Sequence, residues 1–404
     1  MPSNDEKTNI LIVVTGSIAA YKSVELLRSY QKKGYNVKVV MSEGATKFIS
    51  PLTFESLIKA KVPHNMWDFE TGKYEHLDYA KWADLIIVAP ASADTISAIA
   101  SARADQLHLA IILAASCPIV IAPAMNCSMY KNKILQDKIK YLKEKDFMFI
   151  EPDEGDLACG DKGIGRFAKI STIYLKSRKL LMNQDYEGLN VFVATGPTRE
   201  YFDPVRFITN KSSGKLGLEV ARAAYTRGAN VTLVHGPLEH KVPSFINSKK
   251  IRTAKNLKDL ITEELNANNF DIFVMAAAVA DFAPASVSDV KLKTEDDISE
   301  IKVTKNPDII SWVTEEYKNS SLKNASIIGF VTELGEIDEL VEQTKEKLRD
   351  KGLDMIVGSF SNEDYHFDST RVWLITENRN DEISASFKSR IAHKILDSVK
   401  KIDR

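Results

Sequence analysis

Cysteine is scarce. Three in 404 residues, Cys117, Cys127 and Cys159, form no CxxC pair and no disulfide framework, so any chemistry they carry uses a free thiol. Long hydrophobic runs are also missing. The longest, such as Leu85 to Ala93, are of strand length, well short of the roughly 20 residues that cross a bilayer, which excludes a membrane-spanning helix. The polar start "MPSNDEKTN" lacks the basic and apolar regions of a secretory signal, and a cytoplasmic protein is expected. A net charge of -1 argues against a dominant nucleic-acid-binding surface while leaving room for local basic clusters. The first strand–helix turn has no G-x-G-x-x-G, which disfavours a dinucleotide-dependent oxidoreductase, and no small-residue turn has the Walker spacing GxxxxGK[ST].

What is present is ordinary soluble composition, 44% hydrophobic and 27% charged, on a chain long enough for two cores. The first half alternates strands with helices. "NILIVVTG" leads into the helical "SIAAYKSVELLRSYQKKG", and "NVKVVMS", "ADLIIVAPAS", "CPIVIAPAMN" and "FMFIEP" follow at helix-length intervals. Runs this apolar suit strands buried on both faces of a parallel sheet. A charged helix and turn, "KSRKLLMNQDYEG", end this half. A second strand–Thr-Gly start, "NVFVATGPTRE", opens another series: "ANVTLVHG", "FDIFVMAAAVADF", "SIIGFV", "LDMIVGS" and "TRVWLIT". The expected fold is two doubly wound, Rossmann-like α/β domains, residues 1–185 and 186–404, with ligands at the carboxyl ends of the strands. The charged "SVSDVKLKTEDDISEIKVTKNPD" reads either as a disordered excursion or as a loop over a site.

Polar residues gather where strands end. Gly16 and Ser17 could hold a phosphate at a helix N-terminus, although a tight turn with an N-cap serine explains them equally. Ser92, Asp94 and Thr95 follow the strand "DLIIV", where Asp94 or Thr95 as a plain cap of the next helix explains the cluster equally, and Asn126 follows "VIAPAM"; three such ends on one rim favour a small-molecule site. His76 lies on an amphipathic helix, as a surface residue or a general base. Cys159 sits in the Gly-rich "EGDLACGDKGIGR", where a flap delivering a proton or a nucleophile suits it better than a core. In the second half, Gly196, Asn210, Ser212, Ser213 and Gly214 offer a backbone nest for phosphate. Asp281 offers a carboxylate for Mg²⁺, and Lys291, Lys293 and Lys305 offer charge for a triphosphate or plain solvated surface.

Taken together, "TGSIAAYKS", "HLDYAKWADLIIVAPASADTI", "APAMNCSMY" and "GDLACGDKGIGR", then "GPTREYFDPVRFITNKSSGKLG", "VMAAAVADFAP" and "KNPDII", resemble the bifunctional phosphopantothenoylcysteine decarboxylase/phosphopantothenate–cysteine ligase family of coenzyme A biosynthesis. The resemblance runs from about Ile10 to the C-terminus. It implies an FMN-dependent decarboxylase in the first half, with FMN at Gly16, Ser17, Ile18, Ala19, Ser42, Ser92, Asp94 and Thr95. His76 matches the family's active-site histidine, Asn126 the asparagine on the substrate carboxylate, and Cys159 the flap thiol that protonates the decarboxylated intermediate. The flavin is expected to end the cycle oxidised.

For the second half the resemblance implies a ligase. It would use CTP and Mg²⁺ to activate 4′-phosphopantothenate as an acyl-cytidylate, from which the amine of cysteine displaces CMP. Lys291 matches the lysine for the first step and Asn210 the residue for the second. Gly196, Ser212, Gly214, Asp281, Lys305, Asn306, Pro307, Asp308 and Phe330 match the nucleotide pocket, with Asp281 on the metal, and Lys347 and Lys351 take the positions of two later nucleotide contacts. The chain departs from the family at "KLKT", which lacks a last cation, at "GFVTEL", at Asp94 in place of asparagine, and at Ala102 and Gln106. The resemblance further implies a homo-oligomer with trimeric contacts in the flavin domain and dimeric ones in the ligase, compatible with a dodecamer and with a flavin site at a subunit boundary. The rival within the same fold is a flavin-binding regulatory subunit that has lost turnover.

Overall fold

The computed structural model describes residues 8–67, 75–158, 160–293, 300–333, 336–359 and 369–402. Its contacts divide the chain into two units, Met1–Met182 and Asn183–Arg404. Each carries its own sheet and core.

In the first unit, β1 (Asn9–Val14), β2 (Asn36–Met41), β3 (Leu85–Ala91), β4 (Ile119–Pro123) and β5 (Met148–Phe149) form a parallel sheet in the order β2-β1-β3-β4-β5. β1 therefore lies between β2 and β3, where the strand order reverses and the loops beyond the strand ends part to leave a crevice. Alternation assigns its residues to two cores. Ile10, Ile12 and Val14 pack with Leu26, Leu27 and Tyr30 on one face, while Leu11 and Val13 pack with Ile96, Ile111 and Leu135 on the other. All five are fully buried, worth about 1.5–3 kcal/mol apiece. After the sheet, β6 (Asp153–Asp156) and β7 (Lys162–Arg166) pair as an antiparallel hairpin, where the sequence suggested only a Gly-rich flap.

The second unit has a larger sheet. It is built from β8 (Asn190–Pro197), then a small ribbon, β9 (Arg199–Tyr201) with β10 (Phe207–Thr209), then β11 (Asn230–His235), β12 (Asn247–Lys250) and β13 (Ile272–Ala278). β14 (Phe282–Pro284) and β15 (Val303–Lys305) make a second ribbon, followed by β16 (Ser326–Thr332), β17 (Met355–Ser359), β18 (Ser369–Ile375) and β19 (Asn380–Phe387). The sheet order is β12-β11-β8-β13-β16-β17-β18-β19. It is parallel through β17 and antiparallel across its last two strands. Val191 and Val193 of β8 pack with Leu218, Ile391 and Ile395; Phe192 and Ala194 pack with Leu257, Ile261 and Val313 on the opposite face. Phe192 stacks on Phe273 of the neighbouring strand, ring centroids 4.7 Å apart. The charged excursion thus leaves and returns through β14 and β15, and its residues 294–299 lie outside the described residues.

Candidate active sites

In the first unit the polar strand ends share one rim. The fully buried Thr15 ties two of them together: its Oγ1 donates to the Pro90 carbonyl at 2.8 Å and accepts the Ser92 N–H at 2.9 Å. Ser17 caps the 3₁₀ turn Ile18–Lys22 by accepting the Ala19 N–H at 3.3 Å, and donates to the Ala124 carbonyl beyond β4 at 3.3 Å. Ser92 caps the helix Ala93–Ala100 and donates to Thr95 Oγ1 at 3.1 Å. Ser42, after β2, caps the short turn Glu43–Thr46. Gly16 passes backbone to backbone over Gly44; a Cβ on it would stand 3.3 Å from the Gly44 carbonyl carbon. The N-termini that follow β1, β2 and β3 therefore open beside one another, with Asp94 and Ile18 exposed. Such a cluster of N–H groups suits a phosphate.

Asn126 stands where β4 leaves the sheet. Its Oδ1 accepts the Ser128 N–H at 2.7 Å, capping the turn Cys127–Tyr130, and its Nδ2 donates to Asp161 Oδ2 at 2.8 Å. The side-chain amide thus faces a carboxylate of the β6–β7 turn. β7 runs directly against this loop: Met125 N–H donates to the Gly165 carbonyl at 3.0 Å, and a Cβ on Gly165 would come within 2.3 Å of the Met125 oxygen. His76 lies half-buried on the helix Glu75–Trp82. Cys159 lies outside the described residues.

In the second unit a cleft of about 810 Å³ opens over the ends of β8, β13, β16 and β17. Asn210, Ser212, Gly214, Asp281, Lys305, Asn306, Pro307, Asp308, Phe330, Lys347 and Lys351 all line it. Asn210 Nδ2 donates to the Val279 carbonyl at 2.9 Å, and Asn306 Nδ2 to the Ala280 carbonyl at 2.7 Å, so both amides are fixed on the exit from β13. Thr198, fully buried, stitches β8 to the same exit, its Oγ1 accepting the Ala280 N–H at 3.0 Å. Gly196 does not line the cleft but lies directly behind Gly214; a Cβ on Gly214 (φ +64°) would meet the Gly196 Cα at 2.9 Å. The helix Lys215–Thr226 sits so close on the strands that a Cβ on Gly217 would fall 2.3 Å from Thr195 Oγ1.

Charge in this cleft is partly paired. Lys351 Nζ meets Asp308 Oδ2 at 2.7 Å, and Lys347 pairs with Glu333. Partial burial opposes the charge of Asp308, but the Lys351 ammonium and the Ser311 N–H outweigh it and hold the carboxyl below its usual range. Lys291 is exposed and is not part of the lining. It is carried on a segment whose next residue, Leu292, donates its N–H to the buried Asp203 carboxylate at 3.3 Å and accepts from Arg206 Nη1 at 3.1 Å. Sequence reasoning missed Lys215, Thr370 and Lys388, which also line the cleft, and Asp161 beside Asn126. Lys215 directly follows the Ser-Ser-Gly nest and was detectable; Lys388 is one cation among several on an amphipathic helix and was not.

A family model described as Flavoprotein matches residues 1–182, and one described as DNA/pantothenate metabolism flavoprotein C-terminal domain matches residues 186–402. The Coenzyme A biosynthesis bifunctional protein CoaBC of Borreliella burgdorferi is 40% identical over 402 residues, covering 97% of this chain and 99% of the relative. Its namesake in Escherichia coli is 34% identical over 400 residues, covering 96% of each. Among solved structures, the C-terminal domain of a protein of that name covers 54% of this chain and 97% of its own at 28% identity, with a TM-score of 0.44.

Proposed function

The chain belongs to the family of bifunctional coenzyme A biosynthesis proteins, a flavoprotein decarboxylase joined to a phosphopantothenate–cysteine ligase, and from that premise we propose how its residues divide the work. Residues 186–404 make the amide. The carboxylate of 4′-phosphopantothenate attacks the α-phosphate of CTP and pyrophosphate leaves; the cysteine amine then attacks the acyl carbon, losing a proton and expelling CMP. A carboxylate resists an amine until its oxygen becomes a leaving group, so the nucleotide is chemically required. The supporting observation is the single cleft that gathers Asn210, Ser212, Gly214, Asp281, Lys305 and Asp308. The Gly214 turn offers bare backbone to phosphate. Asp281 would supply one ligand to Mg²⁺, the phosphates and water supplying the rest, as suits an ion that dehydrates reluctantly. Lys291 would act on the transferring phosphates and Asn210 on the acyl centre.

Residues 1–185 remove CO₂ from the cysteinyl product to give 4′-phosphopantetheine. The rim fits FMN: Gly16 lies flat on Gly44, and the serine-capped N-termini at Ser17, Ser42 and Ser92 surround the place for its phosphate, next to Ala19, Asp94 and Thr95, with Ile18 exposed for its ring. Bound there, the flavin would accept two electrons from the substrate's thiol end and return them after CO₂ has left. Asn126 would hold the departing carboxylate; that its amide donates to the Asp161 carboxylate at 2.8 Å supports this reading. His76 would move a proton as general base, and Cys159 would return one. The enzyme is read as a cytoplasmic homo-oligomer.

The test is the purified full chain. Flavin absorbance, and 4′-phosphopantetheine by mass from 4′-phosphopantothenate, cysteine, CTP and Mg²⁺, are expected. A colourless protein that takes up no FMN, or CTP left intact beside both acceptors, overturns the reading.

A further inference from the structure

Asp203 stands in the turn between β9 and β10, fully buried, and does not line the cleft. Four donors converge on its carboxylate. The Val205 and Arg206 N–H groups reach Oδ1, each at 2.7 Å, and close the turn. Oδ2 accepts the Leu292 N–H at 3.3 Å and Arg206 Nη1 at 3.4 Å. The same Nη1 donates to the Leu292 carbonyl at 3.1 Å, so both backbone groups of Leu292 are held from this turn.

A carboxylate is matched to this place. Its oxygens only accept, whereas an amide would set an NH₂ group against two donors. A tight turn requires the bonds to Val205 and Arg206 but not the reach to Leu292, 89 residues on. Apolar packing does not hold the second segment: from 285 to 293 every residue is exposed except Ser288 and Leu292. Those two are the ones bonded to the turn, Ser288 donating its N–H to the Phe202 carbonyl at 2.9 Å. The Ser288 hydroxyl in turn donates to the Val290 carbonyl at 2.8 Å. Lys291 follows directly, so its backbone is set on one side by a closed turn and on the other by the buried carboxylate.

We propose that Asp203 is the positioning residue for Lys291 in the first half-reaction. The inference rests on the ligase reading and adds to it a residue that acts through another. By way of Leu292 the carboxylate fixes where the Lys291 backbone stands, and a displacement of about 1 Å at a reacting centre can cost about 100-fold in rate. Loss of the carboxylate should then slow pyrophosphate release only where Lys291 is present to be misplaced.

The test is a double-mutant cycle on the full chain, with pyrophosphate release followed as a single turnover from CTP, Mg²⁺ and 4′-phosphopantothenate without cysteine. Asp203→Asn should lower the rate about 10- to 100-fold and leave the CTP concentration for half-maximal rate within about threefold. In the Lys291→Gln background the same substitution should change the residual rate by less than about threefold. Equal slowing in both backgrounds, undiminished release, or a loss confined to CTP affinity overturns the proposal. If Asp203→Asn does not fold, Leu292→Pro, which removes the N–H that the carboxylate accepts, must show the same dependence on Lys291, and Leu292→Ala, which keeps it, must not. Any other pattern overturns the proposal equally, as does a Lys291→Gln variant that releases pyrophosphate at the full rate. A wild type that releases none would instead overturn the ligase reading.

Discussion

Asn210 and Lys291 separate the two halves of the ligation at the level of single side chains. One N–H of the Asn210 amide is spent on the Val279 carbonyl at 2.9 Å, leaving a second donor and an acceptor for the acyl centre. Asn210→Asp would replace that donor with a carboxylate facing a carbonyl. Pyrophosphate release from CTP should continue while amide formation falls about 100-fold or more, the scale of a lost oxyanion contact. Lys291→Gln should instead reduce pyrophosphate release itself by a similar factor. Assaying pyrophosphate and amide separately checks both, and equal survival of the two half-reactions in either variant removes that residue from its step. The sequence carried these two residues by motif, yet it did not show that Lys291 stands outside the cleft lining on a segment pinned by Asp203 and Arg206. It gave no sign of Lys388, because a lysine at a helix start looks like any solvated cation until the fold buries it.

Among elements, legibility follows burial. β1, β3, β4, β8 and β13 are apolar because both faces of each are covered, so the text of the chain marks them. β19 has a single buried residue, Ile383, and its composition resembles a loop. The β6–β7 hairpin is similarly hidden, since Gly155, Gly163 and Gly165 break any alternation. Those glycines are explained only by what lies opposite. A Cβ on Gly165 would reach 2.3 Å from the Met125 oxygen, and neither backbone can yield without moving Asn126. Gly165→Ala should therefore displace the hairpin and cost about 1–3 kcal/mol of stability, the usual range for overpacking. Decarboxylation should be lost while pyrophosphate release persists. Chemical denaturation together with the two separate assays checks this, and normal decarboxylation would mean that the hairpin does not position Asn126.

Across the whole molecule, the two units should answer acid in different pH ranges. His108, 2% exposed on the helix Leu107–Ala114, has its imidazole pKa pushed by burial from the ordinary 6.5 to about 4, with Asp105 opposing. The unfolded chain takes up that proton more readily than the folded one. Stability from the neutral ring is thus full above about pH 6.5 and is lost as the pH falls toward 4, roughly 3 kcal/mol in all. In the second unit the most strongly lowered carboxyl is that of Asp185. The buried Arg227 guanidinium lowers its carboxyl to about 2 against the cost of burial, and Lys400 assists. Its contribution is complete above about pH 4 and lost only as the pH falls through 2; partial exposure limits it to about 1 kcal/mol. Lowering the pH from 7 to 4.5 should therefore weaken the first unit well before the second. Urea titrations at each pH, read by pulsed hydrogen exchange at one fixed labelling pH, would follow β1 and β3 separately from β8 and β13. His108→Leu should flatten the acid dependence of the first unit and leave that of the second unchanged. Equal loss in both units, or an unaltered slope in the variant, would show that some other group sets the acid limit.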